Sequence, residues 1–186
     1  YVYRIGRISN ARVDLQNEKF IDYPFCDFKS DIMDMYLIKN CDFYIGNMSG
    51  PLEVAYMFNK KTLLIDGYRI FENYPRNSYC RATFKNIYNK LNNQISVKDY
   101  LDLDYKYHHW RDYDNELDLR ESDENEILKT TQKFLSLKDF KETKIEKEEK
   151  KLRFKMYKKL YKKYLLALKE GRKEDVQFMK KSLYWI

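Results

Sequence analysis

Along the first third of the chain, short apolar runs alternate with stretches of helical spacing. YVYRI (1–5) alternates in strand fashion, and KFIDY (19–23) repeats the pattern until Pro24 ends it. RISNARVDLQN between them reads as a polar loop or short irregular helix. From Asp31 to Lys39 the apolar residues Ile32, Met33, Tyr36 and Leu37 fall at helical spacing behind Ser30, a suitable N-cap. Asp31 and Asp34 lie in or near the first turn of that helix, where a carboxylate suits the dipole. DFYIG (42–46) then reads as a strand, PLEVAYMFN (51–59) as a helix and KTLLID (61–66) as a strand. This alternation predicts an α/β fold: a Rossmann-like parallel sheet with flanking crossover helices.

After Gly67 the pattern loosens. Residues 68–84 read as an aromatic loop, 96–102 as a short helix capped by Ser96, and 103–121 as a polar surface segment. Ser122 opens a helix over 123–135, with Ile127, Leu128, Thr131, Phe134 and Leu135 on one face. From about residue 144 a long helical pattern follows. Tyr157, Leu160, Tyr161, Tyr164, Leu165 and Leu168 share one side, and Lys158, Lys159, Lys162 and Lys163 the other. Gly171 breaks it, and a shorter helix spans about 173–184. The expected organisation is an α/β domain over 1–135 and a basic amphipathic helical tail over 136–186.

Charge sharpens that division. Residues 136–186 carry 17 Lys+Arg against 8 Asp+Glu, a balance of +9; residues 1–135 carry 19 against 21, a balance of −2. The basic character therefore belongs to the tail and says little about what the α/β part binds. With 44% hydrophobic and 35% charged residues, the 186-residue chain can bury a core beneath a charged surface. No run of 18 apolar residues suggests a membrane span. Cys26, Cys41 and Cys80 are odd in number and widely spaced, which suits small buried side chains in a reducing cytoplasm. The chain opens on Tyr1, already in a strand pattern, so an upstream half is expected.

The candidate chemistry lies where DFYIG hands over to PLEVAYMFN, through Asn47-Met48-Ser49-Gly50. Pro51 suits the first helical position, which makes Gly50 the expected N-cap and leaves the Ser49 hydroxyl to face a ligand. Gly50 would let a ligand approach the backbone closely. Unpaired first-turn amides at the positive end of a helix dipole bind anions. The corner also lies at the carboxyl end of a parallel strand, where open α/β sheets hold ligands. The corner thus reads as a phosphate cradle; taken alone, it equally fits a tight βα turn.

The linked motifs YVYRIGR, FIDY, KSDIMDMYLIKN and CDFYIGNMSGPLEVA resemble a family of bacterial glycosyltransferases found with surface-polysaccharide genes. The resemblance covers about residues 1–135. More broadly, the corner is similar to the donor-site half of GT-B glycosyltransferases, including heptosyltransferase-like and fucosyltransferase-like enzymes. The resemblance implies the C-terminal half of a GT-B fold, which binds a nucleotide-diphosphate sugar for polysaccharide or glycan biosynthesis. It places Ser49 and Gly50, with Asn47 beside them, against the donor diphosphate. Arg4, or Arg7 beside Gly6, would supply a guanidinium to a phosphate oxygen. Ser30 and Asp31 match the Ser-Asp that opens the preceding helix, while Asp22 and Asp34 would hold sugar or nucleoside. Glu53 departs from the heptosyltransferase pattern, which has His there. A carboxylate repels phosphate but could accept from ribose hydroxyls.

Such enzymes typically need no metal, because helix amides and basic side chains stabilise the leaving diphosphate. The resemblance accordingly implies no cofactor beyond the sugar-nucleotide substrate. Asp102, Asp104, His108 and His109 are spaced unlike any recognised metal site. The acceptor, a glycan or lipid-linked glycan, and the general base would come largely from the expected upstream half, so no catalytic residue is assigned.

For the tail three readings stand side by side: a helix docked on the rest of the protein, peripheral contact of 150–170 with an anionic membrane, and nucleic-acid binding. Sparse arginine, only Arg153 and Arg172, weighs against the last. The expected function is the donor-binding domain of a glycosyltransferase, cytoplasmic or at the inner face of the membrane. The alternatives are a non-catalytic nucleotide- or phosphate-binding α/β module with a basic tail, and a binding protein whose tail does the work.

Overall fold

The computed structural model describes residues 1–6, 11–67, 79–96, 99–100, 117–140 and 144–173. Within them the chain forms a mixed α/β structure, with parallel strands flanked by helices. The order begins β1 (Val2–Arg4), β2 (Phe20–Asp22), a 3-10 turn (Tyr23–Phe25), α1 (Asp31–Asn40), β3 (Phe43–Gly46), α2 (Gly50–Met57) and β4 (Lys61–Gly67). It continues with β5 (Cys80–Phe84), β6 (Asn86–Asn89), β7 (Leu117–Arg120), α3 (Glu124–Leu135) and α4 (Lys144–Lys169).

The centre is a three-stranded parallel sheet in the order β3-β4-β5. Alternation along β4 divides its two faces. Leu64 packs with Leu52 and Tyr56 of α2 and with Cys80, while Leu63 packs with Phe134 of α3 and with Phe140. The sheet thus lies between α2 on one face and α3 on the other. Leu63 and Leu64 are 1% and 0% exposed, so truncating either to Ala should cost about 2–5 kcal/mol. Phe43 extends the α3 side by an edge contact with Phe134, ring centroids 6.4 Å apart. On the other face α1 packs against α2.

The predicted β3-α2-β4 unit, the parallel pairing and the long C-terminal helix are all present. Among the described residues the strands do not make one continuous sheet, however. β1 and β2 form their own parallel pair, and β6 and β7 an antiparallel pair. Each of β1 and β2 is only three residues long, too short for an extended ladder. The 3-10 turn follows β2 at once, and its Tyr23 is fully buried. The Tyr23 hydroxyl accepts from the Ser30 N–H at 3.0 Å and donates to the Ser30 carbonyl at 3.1 Å, tying this turn to the start of α1.

The expected loop over 68–84 contains β5, whose residues Cys80 and Ala82 face the α2 side. The expected polar surface segment contains β7, whose Leu117 and Leu119 join Ile87 and Tyr100 in a second core. Leu152 of α4 packs on that core, so the docked reading of the tail holds at this point. The short helix behind Ser96 is visible at its start, where the Ser96 hydroxyl accepts from the Asp99 N–H at 3.1 Å. The rest of 96–102 and the shorter helix beyond Gly171 lie largely outside the described residues.

Local signals set the helix ends. Ser30 caps α1 through its hydroxyl, which accepts from Met33 N–H. The cap of α3 is Asp123 rather than Ser122, and Asp123 and Glu126 form a reciprocal capping box. At the end of α4, Arg172 N–H bonds to the Ala167 carbonyl and Gly171 N–H to that of Leu168. Gly171 adopts φ +69°, a left-handed stop of the Schellman kind. On α1 the apolar face is rotated from expectation. Ile38 is buried, whereas Ile32 and Tyr36 are exposed. The helix carries apolar residues almost all round, so spacing alone had no sharp face to select.

Candidate functional site

The corner after β3 is open. Asn47, Ser49 and Gly50 are exposed, and a Cβ added at Gly50 would meet nothing within 4 Å. Its geometry corrects the expected cap. Ser49, in extended conformation, is the N-cap of α2, and Gly50 and Pro51 open the helix. The Ser49 side chain makes no cap hydrogen bond; its hydroxyl donates to the Asn47 carbonyl at 3.2 Å. Leu52 N–H is bonded to the Ser49 carbonyl at 3.1 Å, and Pro51 has no N–H to offer. The Gly50 N–H makes no hydrogen bond among the described residues. The donor set at this corner is therefore narrower than four open amides: one backbone N–H, beside an exposed hydroxyl. Glu53 lies in the first turn, half-buried.

Beneath the corner lies a residue the motif reading passed over. Tyr44 folds back against Gly46, so that a Cβ at Gly46 would stand 2.8 Å from the phenolic oxygen. Burial pushes the Tyr44 phenol above its usual pKa, and the adjacent Ser49 hydroxyl partly offsets this. Gly46 is thus required for the close approach of a side chain two residues earlier. Period-two alternation marks Tyr44 as inward; contact with the corner was not readable from it.

The remaining expected site residues fall into separate groups. Arg4 ends β1 and Asp22 ends β2, in register. Arg4 Nε donates to Asp22 Oδ1 at 2.5 Å, and Val13 N–H donates to Asp22 Oδ2 at 2.8 Å. The Arg4 hydrogen bond, opposed by burial and helped by Val13, holds the Asp22 carboxyl below the usual carboxylate range. Arg4 and Arg12 both lie over the Phe25 ring, at 5.7 and 5.5 Å. Arg4 Nη2 is buried without a hydrogen-bond partner among the described residues. Arg7 lies outside the described residues.

On α1, Ser30 spends its hydroxyl on the cap and Asp31 is exposed at the first turn. Asp34 Oδ2 accepts from Lys29 Nζ at 3.0 Å, and its Oδ1 is buried without a hydrogen-bond partner among the described residues. That hydrogen bond raises the Lys29 pKa. Among the described residues, no hydrogen bond or ion pair joins the Arg4–Asp22 pair or the Lys29–Asp34 pair to the Ser49–Gly50 corner.

A second polar node stands at the carboxyl edge of β4. Asp66 adopts φ +52°, where the β4–β5 register shifts. Its carboxylate accepts from the Ser122 N–H and, at 2.7 Å, from the Ser122 hydroxyl. No sequence motif marked this pair.

The three cysteines are unbridged. Burial pushes the Cys41 thiol up, so it stays protonated near neutrality. Among the described residues, no three His, Cys, Asp or Glu side chains gather as a metal site. Asp102, Asp104, His108 and His109 lie outside the described residues. No helix among the described residues is long and apolar enough to cross a membrane. No protein-family model matches the chain, and no curated protein or solved structure does either.

Proposed function

We propose that residues 1–135 are the donor-binding half of a GT-B-like glycosyltransferase of surface-polysaccharide or glycan assembly. The substrate is a nucleotide-diphosphate sugar, and the acceptor is a glycan or lipid-linked glycan. The observation that carries this reading is the open Ser49–Gly50 corner at the carboxyl end of β3, within a parallel β3-α2-β4 unit. A diphosphate oxygen there would accept from the Gly50 N–H at the positive end of α2 and from the Ser49 hydroxyl, which can turn from the Asn47 carbonyl. With the corner's small donor set, a cationic group is needed to balance two phosphates. Arg4 is the described candidate; its guanidinium would have to turn from Asp22, where it now lies, to reach the phosphates. Transfer needs no redox or metal chemistry from this half: donors stabilise the leaving diphosphate, and the acceptor side supplies the base. Cysteines without disulfide bridges and a nucleotide-sugar donor suit the cytoplasm.

Isothermal titration of the chain with a panel of nucleoside diphosphates tests the reading. One nucleotide should bind, and Ser49→Glu should abolish that binding by placing a carboxylate against the phosphates. A folded protein that binds none of the panel refutes the proposal.

A further inference from the structure

We propose that α4 carries a membrane-docking stripe on its outward face, specific for anionic lipid and separate from the nucleotide site. The helix has two apolar sides. One is used internally: Leu152 packs on the Ile87–Tyr100 core, and Ala167 is fully buried. The other holds Phe154, Tyr161, Leu165 and Leu168, spaced 7, 4 and 3 residues apart, which brings them to one face of a 3.6-residue helix. All four are exposed: 62%, 53%, 47% and 47%. A helix that merely docked would turn these residues inward and leave lysine alone outside.

Charge identifies the occupant. Residues 150–169 contain nine Lys and Arg and no Asp or Glu. Lys151, Lys155, Lys158 and Lys162 are exposed along one flank of the stripe, and Lys158 Nζ lies 4.9 Å from the Phe154 ring centroid. An anionic bilayer satisfies both parts of this surface. Acyl chains near the headgroup boundary take the Phe, Tyr and Leu side chains, and lipid phosphates take the ammonium groups. A nucleic-acid backbone would match the lysines and leave Phe154, Leu165 and Leu168 without an apolar partner. The docked Leu152 side fixes the orientation, so the stripe is presented by a helix already formed, without a coil-to-helix cost on binding.

Co-sedimentation of the full chain with phosphatidylcholine vesicles, with and without phosphatidylglycerol, tests the assignment. The chain should pellet only with the anionic vesicles and should be released as salt shortens the Debye length to about 3 Å, near 1 M. Replacing Lys151, Lys155, Lys158 and Lys162 together by Gln should weaken partitioning by more than about a hundredfold, at about fivefold per lysine. The pair Phe154→Ser and Leu165→Ser should also release the protein, with an unchanged circular dichroism spectrum because both side chains are exposed. Three results would each overturn the proposal: no pelleting with anionic vesicles at low salt, equal pelleting by the serine pair, or binding of a single-stranded oligoribonucleotide with no vesicle binding. An independent readout is Tyr161→Trp, whose emission should move to shorter wavelength with anionic vesicles only; an unmoved spectrum on pelleted protein counts equally against the stripe.

Discussion

The carboxylate of Asp66 receives both the backbone N–H and the hydroxyl of Ser122, across 56 residues of chain. One side chain at the carboxyl edge of β4 thereby anchors the residue just ahead of the α3 cap. The backbone at Asp66 accepts a left-handed φ of +52°, and its N–H is held by the Thr83 hydroxyl of β5 at 3.2 Å. Replacing Asp66 by Ala leaves the partly buried Ser122 N–H unpaired and retains the unfavourable φ. A loss of about 1–3 kcal/mol is expected. Ser122→Ala removes only the hydroxyl and should cost about 1 kcal/mol. Urea unfolding of the two variants checks the order; equal effects would mean the N–H contact contributes nothing.

The Arg4–Asp22 pair predicts a specific pH dependence. The Arg4 hydrogen bond lowers the folded-state pKa of Asp22. Unfolded, the same carboxyl titrates near 3.9. The pair's stabilisation is therefore complete above the unfolded value and fades as pH falls through the folded one. Arg4→Gln should be less stable than the parent at pH 7, and the gap in urea midpoint should close below about pH 4. A gap that stays constant into acid would place the effect of Arg4 in packing on Phe25 instead.

Gly46 is held to a hydrogen atom by the Tyr44 ring. Gly46→Ala would bring its Cβ to 2.8 Å from the phenolic oxygen and 2.9 Å from Cε1. A destabilisation of about 1–3 kcal/mol is expected as the ring is displaced. In a Tyr44→Leu background, which lacks those atoms, the same change should cost markedly less. Thermal melts of the four proteins form the double-mutant cycle that decides this; additive effects would remove the steric explanation.

Gly50 behaves oppositely. An added methyl there meets nothing within 4 Å, so Gly50→Ala should leave the melting temperature unchanged or slightly raised. If a diphosphate sits against this backbone, the same methyl should weaken nucleotide binding by about tenfold or more, roughly 1.4 kcal/mol. Titration calorimetry on a variant of native stability separates the two effects. Undiminished binding would move the phosphates away from this corner.

What could be read from residues alone was what neighbours in sequence determine. Ser30 as the cap of α1, the β3-α2-β4 alternation, the helix after residue 123 and the Gly171 stop follow from caps, periodicity and backbone preference, all acting within a turn or two. Even there, one-residue competition decided detail. Ser49 rather than Gly50 caps α2, and Asp123 displaces Ser122 because Glu126 completes its capping box while Ser122 is taken by Asp66. The strands β5, β6 and β7 escaped notice because four- and five-residue segments such as CRATF and NIYN carry weak patterns of their own. They become strands by pairing with, or covering, residues distant in the chain. The partition of the described strands into three sheets, the Tyr44 contact beneath Gly46 and the outward stripe of α4 are likewise tertiary outcomes. Local sequence prefers an element; burial against a partner chooses its face, and no short-range signal encodes which partner that will be.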